Sequence, residues 1–165
     1  MCLITKQSES KIASEDITCY KVLLKLENEI NNIVFNDIVF YVSPVMYFTY
    51  FSNRTDLNNK VFKAEKAYWL ENSPGDDLEP TYIDDNGVDT YELNSGFFHM
   101  YKDYDSAVKA IKNSVTGERE SSVIFECVIP KGSRYYEGFT STYLLPSIAS
   151  DKLKFVKQLA LHQIN

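Results

Sequence analysis

The residues able to do chemistry in this chain are few and scattered. It has two histidines, His99 and His162, and three cysteines, Cys2, Cys19 and Cys127. His99 stands in an aromatic run, GFFHMY at 96–101, where strand alternation puts Phe97, His99 and Tyr101 on one face. Such a face could stack a flat ligand and offer the imidazole as its polar contact. A lone histidine in an aromatic strand is more often packed structure than a catalyst. A second group follows the apolar run 121–130. Lys131-Gly132-Ser133-Arg134 could present backbone N–H groups and two cations to a phosphate, with Tyr135 and Tyr136 beside them. The spacing is not that of a P-loop, and a Pro-Lys-Gly turn after a strand commonly has no function. The candidate ligand-binding residues are therefore His99, Tyr101, Lys131, Arg134, Tyr135 and Tyr136.

The cysteines give less. Removal of Met1 would leave Cys2 with its own α-amine as base, the arrangement of N-terminal-nucleophile hydrolases. The other possible base, His99, has no identifiable third partner. Cys19 and Cys127 fall in apolar runs, where a free thiol packs as a small hydrophobe. An odd number of cysteines without a CxxC pair fits neither a disulfide framework nor a zinc site. No metal and no cofactor is expected.

Charge is unevenly placed. Residues 67–101 contain no Lys or Arg but eight acids: Glu71, Asp76, Asp77, Glu79, Asp84, Asp85, Asp89 and Glu92. The rest of the chain holds fifteen acids against 17 Lys and Arg, so this segment carries the whole net charge of −6. An EF-hand reading fails, because placing Gly87 at the loop's turn position puts Tyr82 first and Leu93 last, and neither is a ligand. Asp76, Asp77, Asp84 and Asp85 are instead a candidate surface for a basic protein partner, since charge of one sign steers association. The plainer reading is a solvated loop.

The elements that must position these residues read as α+β. At 165 residues, 44% hydrophobic and 14% aromatic, the chain is sized for one domain, 1–165, with a real core. Strands are expected at 17–27, with Tyr20, Val22, Leu24 and Leu26 on one face, and at 33–41, broken by a turn at Asn36-Asp37. Further strands are expected at 91–101 and 121–130, with a short one at Tyr135-Tyr136 and loop over most of 138–150; 60–70 and 152–161 read as strand first, with helix the open alternative in each. Asn86-Gly87 between β-prone residues signals a type I′ hairpin, making 71–92 an acidic, insert-like hairpin excursion. One helix is expected at about 104–115, capped by Asp103 or Asp105 and stopped by Gly117. The expected fold is thus a mainly antiparallel sheet with one well-defined helix. Apolar runs are too short to span a bilayer, and the charge is not that of a nucleic-acid binder, so neither a membrane nor a nucleic acid is expected as partner. The cytoplasm is the expected compartment.

Three stretches carry a resemblance: GFFHMYKDYDSAVKAI (96–111), FECVIPKGSRYYEG (125–138) and IASDKL (148–153). With the opening MCLI, TCYKVL (18–23) and Ser43-Pro44, they resemble small uncharacterised proteins of gut Bacteroidetes and their phages, over about two thirds of the chain. The resemblance omits the acidic segment. It implies a small α+β protein of bacterial or phage origin and brings no catalytic residues. The turn at 129–132 is also similar to ADP-ribosyltransferase-like folds. Those enzymes carry an early Tyr-Arg or His element, then a Ser-Thr-Ser strand, then a late Glu. Here Tyr20 precedes Lys21, Ser141-Thr142 follows the turn, and no Glu comes after Glu137, so that similarity implies the fold without the transfer activity. The expected function is a non-enzymatic binding module for a protein partner or a small ligand, set against host machinery if the phage resemblance holds. The alternative is an enzyme or degenerate enzyme on a nucleotide-like ligand.

Overall fold

Alternating, β-branched and aromatic sequence makes most of this chain into strand. A computed structural model describes residues 3–30, 33–42, 50–52, 61–63, 80–83, 85–93, 97–113, 122–141 and 143–159. They form, in chain order, β1 (Leu3–Thr5), β2 (Lys11–Ile12), β3 (Ile17–Ile30), β4 (Ile33–Val42), β5 (Tyr50–Ser52), β6 (Val61–Lys63) and β7 (Pro80–Ile83). There follow β8 (Asp89–Leu93), β9 (Phe98–Tyr101), α1 (Tyr104–Lys112), β10 (Ser122–Ile129), β11 (Arg134–Thr140), β12 (Pro146–Ser150) and β13 (Lys152–Leu159). Every pairing is antiparallel, in one sheet of order β6-β13-β10-β3-β9-β12-β11-β1-β8-β7, with β2 beside β11 and β4 joining β3 to β5. The class is α+β, a mostly antiparallel sheet with a single helix among the described residues. No helix among them is long and apolar enough to cross a membrane.

β10 is central, as its run of Val, Ile and Phe demands. It pairs with β3 from Ile129↔Ile17 to Ser122↔Leu24, and with β13 on its other edge. Both faces of this region are buried. One holds Cys19, Leu23, Met100, Phe125, Cys127 and Phe155, with the Phe125 and Phe155 rings edge-on at 5.4 Å. The other receives α1, whose Ala107 and Ile111 pack on Val22, Tyr101 and Ile124. Asp103 caps α1 by accepting from Ser106 N–H at 2.7 Å and Ser106 Oγ at 2.9 Å. Asp105 in the first turn and Lys109 and Lys112 in the last suit the helix dipole.

Several expectations are corrected. β4 is strand from Ile33 to Val42, but its register against β3 shifts around Asn36 and Asp37, from Glu27↔Val39 to Glu29↔Val34, so the expected interruption is a bulge within one strand rather than a turn between two. The expected strand at 91–101 is two strands with different partners: β8 pairs with β1 and β7, β9 with β12 and β3. The helix ends at Lys112, where Asn113 N–H turns back to the Ile111 and Lys109 carbonyls; Gly117 lies outside the described residues. The supposed loop at 138–150 holds the end of β11 and all of β12. β7 and β8 do pair on either side of Gly87, whose φ is +77°, but Asn86 is not left-handed with it and the last pair is Ile83↔Asp89, so the connection is longer than the expected type I′ turn. Residues 71–79 and 64–70 lie outside the described residues.

Gly138 hid β11 from the sequence reading, and the structure shows why it is there. β1 passes so close that a Cβ at 138 would strike the Ile4 carbonyl oxygen and sit 3.1 Å from Thr5 Cα. Both are backbone and cannot turn aside. Gly138→Ala should therefore lower stability by about 1–3 kcal/mol, read as a fall in the urea midpoint. An unchanged midpoint would show that β1 is free to shift.

Candidate functional site

The site begins with a fork in the sheet. Opposite β10, the edge of β3 is shared by two strands. β9 meets it at Tyr20↔Tyr101, and β4 takes over from Leu24↔Val42. Continuing the first register would put Val22 opposite His99, but the pairing stops short of it. A buried carbonyl there must find another donor. Lys21 Nζ supplies it, donating to the His99 carbonyl oxygen at 2.8 Å.

Lys21 is 3% exposed. It shares a face with Cys19, two residues before it, and Cys127, which sits directly across from Cys19. Burial drives the Lys21 amine down to about 8, with Cys127 and Cys19 pulling the other way. Burial also pushes the Cys19 thiol up to about 12, against the pull of Lys21, and holds Cys127 well above its ordinary value. At neutral pH both are protonated thiols away from water, packed rather than reactive. His99 is 7% exposed; burial, reinforced by the Lys21 charge, brings its imidazole down to about 3, so it stays neutral. Its Nε2 is buried with no hydrogen-bond partner among the described residues.

Sequence reasoning missed Lys21, because a lysine between Tyr20 and Val22 looks solvent-facing. The available signal was the other alternation, Cys19-Lys21-Leu23, on a strand apolar on both faces.

The expected ligand-binding residues are partly brought together. His99 and Tyr101 share the helix-side face. Across the small Ala149, paired with both His99 and Tyr136, the Tyr136 ring lies on that face too, almost fully buried, with Phe97 edge-on at 5.5 Å. Burial holds the Tyr101 hydroxyl above its ordinary value. Tyr135 points to the opposite face, half-buried against the other cluster.

The Lys131–Arg134 turn is occupied from within. Lys131 N–H donates to Asp16 Oδ1 at 2.8 Å, Gly132 N–H to Ala13 O at 2.8 Å, Ser133 N–H to Pro130 O at 3.1 Å and Arg134 N–H to Asp151 Oδ1 at 2.9 Å. Arg134 Nε also donates to Ser10 Oγ at 3.0 Å. What the turn can offer an anion is side chain: exposed Lys131 and part of Arg134. Of the acidic candidates, Asp85 is exposed in the β7–β8 turn; Asp76, Asp77 and Asp84 lie outside the described residues, as does Cys2. Among the described residues no group of three His, Cys, Asp or Glu could hold a metal.

A feature with no sequence signal lies at the β11–β12 connection. Thr140 N–H donates to Leu145 O at 2.9 Å, and Leu145 N–H to Thr140 Oγ1 at 3.0 Å, closing the hairpin. Inside that closure Tyr143 and Leu144 have φ of 65° and 50°, and they are 63% and 65% exposed. Phe139, on β11 just before the closing pair, is exposed as well. Tyr-Leu is not a turn sequence, so nothing in its residue types announces this conformation.

The buried bases set the pH response. His99 takes up its proton at about 6.5 when unfolded and about 3 when folded, so the unfolded chain binds more protons between those values. The stability His99 confers is complete above pH 6.5 and is lost as pH falls towards 3. Lys21 acts the same way between about 8 and 10.5. Urea midpoints should fall from pH 6.5 to 4, and His99→Phe should flatten that slope. Above pH 8 the rise from Lys21 is opposed by Cys19 and Cys127, whose raised folded values favour the unfolded chain as free thiols ionise, so Lys21→Met should leave a net fall from pH 8 to 9; slopes unchanged in these variants would mean that other groups govern them. Iodoacetamide at pH 8 should label Cys19 and Cys127 only as fast as the chain unfolds. Labelling that outpaced unfolding would place the thiols near solvent.

Compared with protein-family models, curated proteins and solved structures, the chain matches none of them.

Proposed function

We propose that this chain is a non-enzymatic binding module that grips a protein partner through the tip of the β11–β12 hairpin. The observation that carries the reading is the pair Tyr143 and Leu144, bulky and apolar, exposed, and both left-handed. For an L-residue that conformation costs about 1–2 kcal/mol, and Asn-Gly would make a tight turn at far less cost. Neither side chain is buried, so neither gains core contacts that would offset the strain. Seating them in a partner's pocket would return about 1.5–3 kcal/mol for each large apolar side chain. Strained backbone that the fold does not need is characteristic of working sites, and protruding aromatic and aliphatic anchors are how interfaces concentrate affinity.

Other features support the reading. Among the described residues the buried candidates for nucleophile or base are poorly suited to it: Cys19 and Cys127 are held as thiols, His99 is a weak base, and the Lys21 amine is engaged with the His99 carbonyl. The acidic segment 71–92, as a hairpin excursion bearing Asp76, Asp77, Asp84 and Asp85, steers a basic partner towards the module. Free thiols at Cys19 and Cys127 suit a reducing cytoplasm. By resemblance to the phage proteins, the partner belongs to host machinery.

The test uses opposite signs in stability and binding. Tyr143→Asn with Leu144→Gly should raise the melting temperature, because it removes the left-handed penalty. The same variant should lose the partner captured when a photo-cross-linking residue replaces Phe139 in otherwise native protein, in extracts of the cells that make it. A cross-linker at exposed Val88 is the control. Capture of the same partner by the double variant would remove the tip as the working surface.

A further inference from the structure

We propose that His99 Nε2 is the polar anchor of a second, internal binding site, which takes a small, flat, uncharged molecule at the seam between two apolar clusters. This site is independent of the hairpin tip. Both clusters lie on the helix-side face. Val22, Tyr101, Ala107, Ile111 and Leu145 form one beneath α1; Leu3, Leu93, Phe97, Tyr136 and Ala149 form the other. They do not merge, and His99 stands between them. Two residues along β9 in one direction is Tyr101, of the first cluster; two residues back is Phe97, of the second, and directly across is Ala149. In the row His99–Ala149–Tyr136 the middle side chain is a single methyl, so the imidazole and the phenol ring flank the smallest side chain of the row.

The fold does not explain the imidazole. What the fork requires of position 99 is its carbonyl oxygen, which accepts from Lys21, and any residue would supply that. The ring itself is more than nine-tenths buried, and among the described residues Nε2 has no partner. A buried polar atom in that state carries its full desolvation penalty unless something beyond those residues meets it. Phe97, Tyr101 and Tyr136 give the surroundings aromatic edges and faces, which suit a planar molecule. The charge follows from Lys21, whose ammonium lies close beneath. It and the N-terminal amine, whose charge also bears on the imidazole, oppose a cation, while an anion would have to leave water for a buried site whose lysine is already engaged with the His99 carbonyl. An uncharged heterocycle or aromatic amide, with one N–H or C=O turned to Nε2, meets both conditions.

With only two histidines, the 15N resonance of His99 Nε2 can be assigned in the full chain by comparison with His162→Gln. Indole, benzamide, uracil and adenine are titrated as neutral flat probes, with benzoate and benzamidine as charged counterparts. The expected result is a saturable Nε2 shift with at least one neutral probe, at least tenfold weaker with the charged ones. That binding should be lost in His99→Phe, and in His99→Gln it should persist at reduced affinity. His99→Gln also serves as the readout if the phenylalanine variant does not fold, since reduced affinity for the same probe then carries the assignment. The proposal is overturned if no neutral probe moves Nε2, which would leave a single trapped water as its partner. It is equally overturned if binding survives undiminished in the folded variants.

Discussion

Everything distinctive about this sheet turns on one hydrogen bond, from Lys21 Nζ to the carbonyl oxygen of His99. A sheet in which one strand serves two neighbours along a single edge must contain a point where neither pairs. Here that point falls between Tyr20 and Leu24, deep in the protein, where an unmet carbonyl would be costly. The ammonium closes the gap, and its charge bears on the three buried groups around it. It helps to keep His99 uncharged and draws the neighbouring thiols against the effect of burial. Replacing such a group with an apolar one is often tolerated where its partner is also removed. Here the partner is backbone and cannot be removed, which ties this lysine to this fork.

The two ends of β11 treat their polar groups in opposite ways. At its start, four successive amides are spent on Asp16, Ala13, Pro130 and Asp151, which lashes the turn to the rest of the chain and leaves little for a ligand. At its end, the backbone is closed by one threonine, and the side chains of Tyr143 and Leu144 are held out into solvent. One turn is an internal joint; the other is a display. From the sequence only the first invites a ligand, because Lys-Gly-Ser-Arg looks like a binding loop, while Tyr143 and Leu144 fall without distinction in the expected loop 138–150.

The contrast marks what the residues themselves could reveal. Local signals were legible: the Asp103 cap, the helix stripe of Ala107 and Ile111, the strand 122–129 and Asn86-Gly87 as the turn between two strands. Each depends on neighbours a few positions away. The corrections come from distant partners. Gly138 is small because β1 passes over it, and Lys21 is buried because β9 and β4 part beside it. The same division holds for the site. The common face of His99 and Tyr101 followed from alternation, whereas Tyr136 joins them only through the pairing with Ala149. Left-handed backbone at Tyr143 and Leu144 had no sequence signal at all, since those residue types argue against it.

The shared edge of β3 also orders events in time. β4 follows β3 after two residues, so its pairing closes a short loop, while the contact of Lys21 with His99 spans 78 residues. Short loops close first. The far half of β3 is therefore claimed early by its near neighbour, and β9 arrives later to the remaining stretch around Tyr20. Lys21 can be stripped of water only when that late strand brings its carbonyl. Until then the chain keeps a hydrated cation at the heart of its future core, and the interior seals last at the point where the sheet divides.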